Sequence, residues 1–163
     1  MKVRETPLRG LLILEPDVFA DERGYFMETW SRKRYSKSGI PEVFVQDNLS
    51  FSKKGVLRGP HFQHPRSQGK LVSVLMGEVF DVAVDLRSSS VTFGKWHGEF
   101  LSSSNTRQLY LPRGFAHGSL VISDTTLFTY ERTQYYGKLS EKTIRWNDPA
   151  IGIDWPLKNP AVP

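Results

Sequence analysis

Cysteine is absent from all 163 residues, which excludes disulfide cross-links and thiolate metal sites. No apolar run approaches the roughly 18 residues of a membrane span. The opening Met1-Lys2-Val3-Arg4-Glu5 carries charge too early for a signal peptide. Linker-like tracts, low-complexity segments and internal repeats are missing as well. What remains is the expectation of one soluble domain over residues 1–163, long enough to bury a core unaided and cytoplasmic in location. A clustered basic stripe is also missing. The formal charge is +5, yet the longest basic runs, Arg32-Lys33-Arg34 and Lys53-Lys54, are short and separated by acids. A nucleic-acid partner is therefore not expected, and a phosphate-bearing small ligand fits the charge better.

Helical patterning is scarce too. Only Ser31 to Ser38 has the length and polarity of a helix. Thirteen glycines and ten prolines punctuate the rest evenly. Between them lie short segments rich in β-branched and aromatic residues: 11–14, 25–29, 43–46, 71–75, 79–86, 95–101, 108–111, 119–121 and 126–132. Many short strands with turn residues between them predict an all-β sandwich or barrel. Met76-Gly77-Glu78 reads as a tight hairpin between two of these strands. Alternation in 79–86 puts Phe80, Val82, Val84 and Leu86 on one face and Val79, Asp81, Ala83 and Asp85 on the other. The two aspartates then either face water or line the polar interior of a small barrel able to hold one ligand.

The chemistry concentrates in two stretches. Val56-Leu57-Arg58-Gly59-Pro60-His61-Phe62-Gln63 and the following Ser67-Gln68-Gly69-Lys70-Leu71 bring an arginine, a histidine and a lysine together, each beside a glycine or proline. Histidine exchanges protons near neutrality, and the two cations suit an anionic ligand or a developing negative charge. The bland alternatives are an exposed histidine and a solvated strand-end lysine. In Leu111-Pro112-Arg113-Gly114-Phe115-Ala116-His117-Gly118, the turn places His117 at the mouth of a strand. The spacing is similar to the second motif of cupin barrels, whose histidine is often a metal ligand. His61 and His64 do not make a His-x-His pair, however, so no metal is expected and His117 is read as a hydrogen-bonding residue. Tyr130 alternates to the side of Phe128 and Arg132. It is either packing or the acid that complements a histidine base.

Taken in order, these blocks resemble the dTDP-4-dehydrorhamnose 3,5-epimerases. The matching pieces are Asp21-Glu22-Arg23-Gly24-Tyr25-Phe26, Val45-Gln46-Asp47-Asn48, Leu57 to Gln63, Gln68 to Leu71, Gly77 to Asp85, Thr92-Phe93-Gly94, Pro112 to Gly118 and Trp146-Asn147-Asp148-Pro149. The resemblance implies a metal-free and cofactor-free cupin-type jelly roll with few short helices, working as a homodimer with exchanged N-terminal strands. It implies epimerisation at C3, C5 or both of a dTDP-4-keto-6-deoxyhexose, with His61 as base, Lys70 as enolate stabiliser and Tyr130 as acid. Arg58 and His117 would contact substrate, and Gln46, Asp47 and Asn48 would line the nucleotide site with Glu141 near it. Arg23 and Glu28 would reach the neighbouring subunit's ligand.

The match has departures. The family usually continues past Trp155-Pro156 into a Leu-Ser-x-Lys-Asp segment whose aspartate hydrogen-bonds the catalytic histidine, and this chain runs on differently to Pro163. Asp81 or Asp85 facing inward would be a substitute carboxylate. Alternatively the chain is a truncation with weak activity, or a protein without the carboxylate is a 3-epimerase only or a weakly active nucleotide-sugar-binding cupin. Pro60 stands in place of a leucine before the histidine, and Leu49 in place of a histidine after Gln-Asp-Asn.

Overall fold

Two antiparallel sheets face each other and carry almost the whole chain, as the computed structural model describes it over residues 1–162. In chain order the strands are β1 (Lys2–Glu5), β2 (Leu12–Glu15), β3 (Val18–Asp21), β4 (Gly24–Met27), β5 (Gln46–Lys53), β6 (Leu57–Gln63) and β7 (Lys70–Met76). They continue as β8 (Glu78–Asp85), β9 (Trp96–Ser102), β10 (Gln108–Leu111), β11 (Phe115–Val121), β12 (Thr125–Arg132) and β13 (Glu141–Thr143), with one helix, α1 (Arg32–Lys37). The six-stranded sheet runs β1-β2-β10-β7-β12-β5 and the five-stranded sheet β13-β6-β11-β8-β9. Strands β3 and β4 pair only with each other, as a separate arm. This is the expected all-β jelly roll. No helix among the described residues is long and apolar enough to cross a membrane.

Alternation along the strands sorts side chains into three apolar layers. Between the sheets, Ile13, Val72, Val74, Leu109, Leu111 and Phe128 meet Val79, Ala83, Leu101, Phe115 and Val121. Outside the five-stranded sheet, Leu57, Phe80, Val82, Val84 and Leu120 are covered by Trp155 and its neighbours from the C-terminal stretch. Outside the six-stranded sheet, Leu14, Leu71 and Tyr110 are covered by Tyr35 of α1 and Ile40. Coverage of that last face is partial. Leu49, Phe51 and Leu75 remain 62%, 56% and 51% exposed.

Three expectations need correction. Met76-Gly77-Glu78 is not a hairpin, because β7 and β8 belong to different sheets. Gly77 is a corner at φ +85°, where an added Cβ would lie 2.3 Å from Ser123 Oγ and the Thr125 carbonyl, so only glycine turns the chain between sheets here. Residues 43–45 are not a strand, and the pairing begins at Gln46 and runs eight residues. The Gly-Pro within 57–63 reads as a turn but lies inside β6. Of the two open readings of the aspartates, the inward one holds: Asp81 and Asp85 are both fully buried.

Candidate active site

The interior between the sheets is polar at one end, and a β-bulge creates much of that polarity. Arg58 and His61 are three apart, so an unbroken β-strand would aim them at opposite faces. The β6–β11 register shifts between His117 and Ser119, and the extra residue turns both side chains inward. Gly59 makes this possible at φ +88°. Its missing Cβ would sit 2.5 Å from the His117 carbonyl oxygen. Pro60, lacking an N–H, is tolerated at the irregularity while its carbonyl still accepts from Ile144 at 3.0 Å. Arg58 Nε reaches across the gap to donate to the buried Ser52 Oγ of β5 at 3.2 Å.

Lys70 faces His61 from the opposite sheet and is buried. Burial, reinforced by Arg132 and opposed by Asp81 and Glu141, lowers its pKa to about 7. His61 is half-buried. Desolvation lowers its pKa, Glu141 resists, and Lys70, His117 and Arg132 push further down. The pair lines a small cavity of about 40 Å³ with Gln63, Gln68, Arg132 and Glu141. Tyr130 turns inward on β12: its ring lies 5.9 Å from Phe128, and the Arg132 guanidinium stands 4.8 Å over it. Phe128 in turn stacks on His117 at 6.1 Å. His61 and His117 on one sheet thus face Lys70, Tyr130 and Arg132 on the other.

His117 is placed as a hydrogen-bonding residue. Its Nε2 lies 3.0 and 2.9 Å from the two oxygens of Asp81. Burial lowers its pKa despite the opposing pull of Asp81. Asp81 therefore serves His117 and not His61. Asp85 serves neither: burial would raise its pKa, but hydrogen bonds from Arg87, Ser90 and Thr92 hold it well below the carboxylate range. No carboxylate lies within ion-pair distance of His61 among the described residues, and Thr143 Oγ1 is 3.0 Å from its Nδ1.

At the rim, Gln46 Nε2 donates to Asn48 Oδ1 at 3.0 Å, and Tyr136 links Gln46 to Glu141 through its own N–H and hydroxyl. Asn48 Nδ2 and Arg132 Nε are buried donors without hydrogen-bond partners among the described residues. Asp47 is set apart from Gln46 and Asn48. It sits on the outer face of β5, cross-strand from Glu131, lining a hollow of about 380 Å³ with Leu49, Ser73 and Leu75. Leu49 points outward with it. Arg23 and Glu28 lie on or beside the arm, paired with Asp21 and Arg34, and neither touches the interior of its own chain. Among the described residues, no cluster of three or more His, Asp and Glu could hold a metal.

The reading of the bare chain passed over Arg132, Tyr136 and Thr143. Arg132 was findable, since it shares the inward alternation of Tyr130. Tyr136 and Thr143 carry no local signal, because they reach the site through a loop and a three-residue strand.

Comparison with known proteins agrees with this geometry. The family model described as dTDP-4-dehydrorhamnose 3,5-epimerase matches residues 5–162. A dTDP-4-dehydrorhamnose 3,5-epimerase of Shigella flexneri is 53% identical over 162 residues, 98% of this chain and 90% of that protein. The dTDP-6-deoxy-D-glucose-3,5-epimerase of Legionella pneumophila, solved with dTDP-4-keto-L-rhamnose, superposes with a TM-score of 0.96. It is 51% identical, and the match covers 99% of this chain and 87% of that one. A Bacillus anthracis dTDP-4-dehydrorhamnose 3,5-epimerase with TDP and PPi bound gives a TM-score of 0.97 at 41% identity, covering 99% and 94%.

Proposed function

The chain belongs to the dTDP-4-dehydrorhamnose 3,5-epimerase family, and from that premise we propose that it inverts C3 and C5 of a dTDP-4-keto-6-deoxyhexose without a cofactor. The observation that carries the reading is the apposition of half-buried His61 and buried Lys70 from opposite sheets. A proton on carbon beside a ketone is acidic only if its base is positioned and the enolate oxygen is stabilised. His61 takes the proton from C3 or C5. The electron pair moves onto the C4 oxygen, where Lys70 and the unpartnered Arg132 Nε meet the charge in a desolvated setting. Tyr130 gives its proton to the opposite face of the carbon and the ketone re-forms, after which solvent takes the proton from His61 and restores the phenol. Nothing is oxidised overall. Lys70, with its pKa near 7, carries its proton in about half of the molecules at pH 7 and gives up that cation as the pH rises.

Arg58 and His117 contact the sugar, and Gln46, Asn48 and Glu141 hold the nucleotide end. Asp47 contributes from the outer face. The working unit is a homodimer in which the β3–β4 arm of each subunit crosses to its neighbour and carries Arg23 and Glu28 to that site. Two features support this. The arm pairs with neither sheet and exposes Phe19, Tyr25 and Phe26, and Leu49, Phe51 and Leu75 leave an apolar outer face for a second copy.

Incubation with dTDP-4-keto-6-deoxyglucose in D₂O tests the reaction. Deuterium is expected at both C3 and C5. Exchange at C3 alone reduces the activity to a 3-epimerase, and no exchange at either carbon refutes it.

A further inference from the structure

We infer that Gln108, together with Tyr35, is a positioning residue for the neighbouring subunit's active site: the pair grips the Thr29 carbonyl at the root of the β3–β4 arm and so sets where Arg23 and Glu28 arrive. This rests on the reading that the arm crosses between subunits. Gln108 lies on the outer face of β10, cross-strand from Leu14 and Ser73, on the face that also carries Leu71 and Tyr110. It is 1% exposed, as is Tyr35 of α1. A carboxamide in an apolar layer costs free energy unless its polar atoms are bonded, and a leucine would fill the space without that cost. What the glutamine adds is a hold on the backbone. Its Nε2 donates to the Thr29 carbonyl at 2.8 Å and to Ser73 Oγ at 3.0 Å. Tyr35 Oη, 2.8 Å from the same carbonyl and 2.8 Å from Gln108 Oε1, donates its single proton to either.

The arm pairs with neither sheet, so its direction depends on its two legs. Both are tied to α1. Arg34 pairs with Asp17 before β3 at 3.0 Å and with Glu28 after β4 at 3.4 Å. Those pairs are half-exposed and individually weak. The firmer hold is on the exit leg, where Thr29 meets the two buried donors and Trp30 packs between Tyr35 and Phe44, with ring centroids 4.6 and 4.7 Å away. An arm on a fixed root loses little freedom when a ligand binds. One on a loose root must be ordered first, which weakens binding and leaves the chemistry unchanged.

Mixed dimers with one working base separate this from a local effect of Gln108 on its own chain. They are made by co-refolding full chains and isolated through two affinity tags. In the first arrangement Gln108→Met and His61→Asn share one chain and the partner is unmodified. The working site then receives the arm with the altered root. Its KM for deuterium exchange should rise about tenfold with kcat little changed, the upper end for one lost hydrogen bond. In the second arrangement the two substitutions lie on different chains. The working site receives an intact arm, and KM should equal that of a dimer of unmodified and His61→Asn chains. Tyr35→Phe, which removes one oxygen, should give the same pattern and serves where Gln108→Met does not refold. A raised KM in the second arrangement, or an unchanged KM in the first, overturns the inference. Arg23→Ala in place of Gln108→Met tests the premise: loss of exchange in the second arrangement alone means that the arms do not cross. Absence of exchange in the unmodified protein refutes the epimerase reading instead.

Discussion

Asp81 holds His117 Nε2 with both carboxylate oxygens, at 3.0 and 2.9 Å, on adjacent strands of the five-stranded sheet. The carboxylate is wholly buried, and its influence extends past its partner. It is one of two negative charges that support the proton on Lys70, against the burial and the Arg132 charge that remove it. A residue bonded to one side chain is therefore tuning a second one across the barrel.

Asp81→Asn separates these roles, because the amide keeps the shape and its oxygen still accepts from His117. With the negative charge gone, Lys70 should lose its proton at lower pH. The basic limb of the kcat/KM profile should move down by about one pH unit, a Coulomb change of about 1.4 kcal/mol. A pH–rate series on both proteins decides this, and coincident basic limbs would count against the coupling.

Lys70 itself is held at a cost. Its folded pKa of about 7 lies below the unfolded 10.5. Between those values the unfolded chain binds a proton that the folded chain lacks, so this residue makes stability rise with pH across that window. The full penalty, on the order of 5 kcal/mol, applies below pH 7. Lys70→Met should therefore raise the unfolding midpoint most at and below pH 7, with the gain shrinking toward pH 10. Exchange should meanwhile fall about 10²–10³-fold as the enolate loses its cation. Denaturant unfolding at several pH values checks the first half; equal gains at pH 6 and pH 10 would contradict it.

His61 and Tyr130 should fail in different ways. His61→Asn removes the base, and deuterium exchange at both carbons should drop about 10²–10⁴-fold. Tyr130→Phe leaves the base and the enolate site intact, so proton abstraction and return from the same face continue. Deuterium should then enter the unreacted substrate faster than epimer appears. Mass and NMR analysis of recovered sugar distinguishes the cases. Parallel loss of exchange and epimer in Tyr130→Phe would remove Tyr130 from the acid role.

Much of this arrangement is legible in the chain, and the gaps have physical causes. Gln108 to Leu111 is a strand with the expected bounds, and Arg32–Lys37 lies within the helix expected over Ser31 to Ser38. Both are bounded by clear punctuation. Strand β1 was missed because all four of its residues are exposed and show no apolar alternation. Strand β6 was missed because Gly-Pro reads as a turn until its neighbours β13 and β11 pair around it. Gly77 announces a turn, but no local signal says whether the next strand returns to the same sheet or starts another. The inward face of Asp81 was one of two open readings. That its partner is His117 and not His61 depends on the β8–β11 register, which no single segment encodes.

The proposed exchange of arms makes a prediction that no variant alone can test. Arg23→Ala and His61→Asn should each be inactive as homodimers, since every site lacks one residue. If Arg23 acts in the neighbouring subunit, a mixed dimer holds one site with both residues native and one with neither. Co-refolding the two inactive proteins in equal amounts should then restore about a quarter of wild-type exchange by random pairing of subunits. An arm serving its own chain would leave both sites of the mixed dimer damaged, and no activity would return. Leu49→Asp gives the matching control. Placing a charge on the outer face, where Leu49 is 62% exposed in the single chain, should shift sedimentation toward the monomer and abolish the restoration, while the fold measured by circular dichroism stays intact.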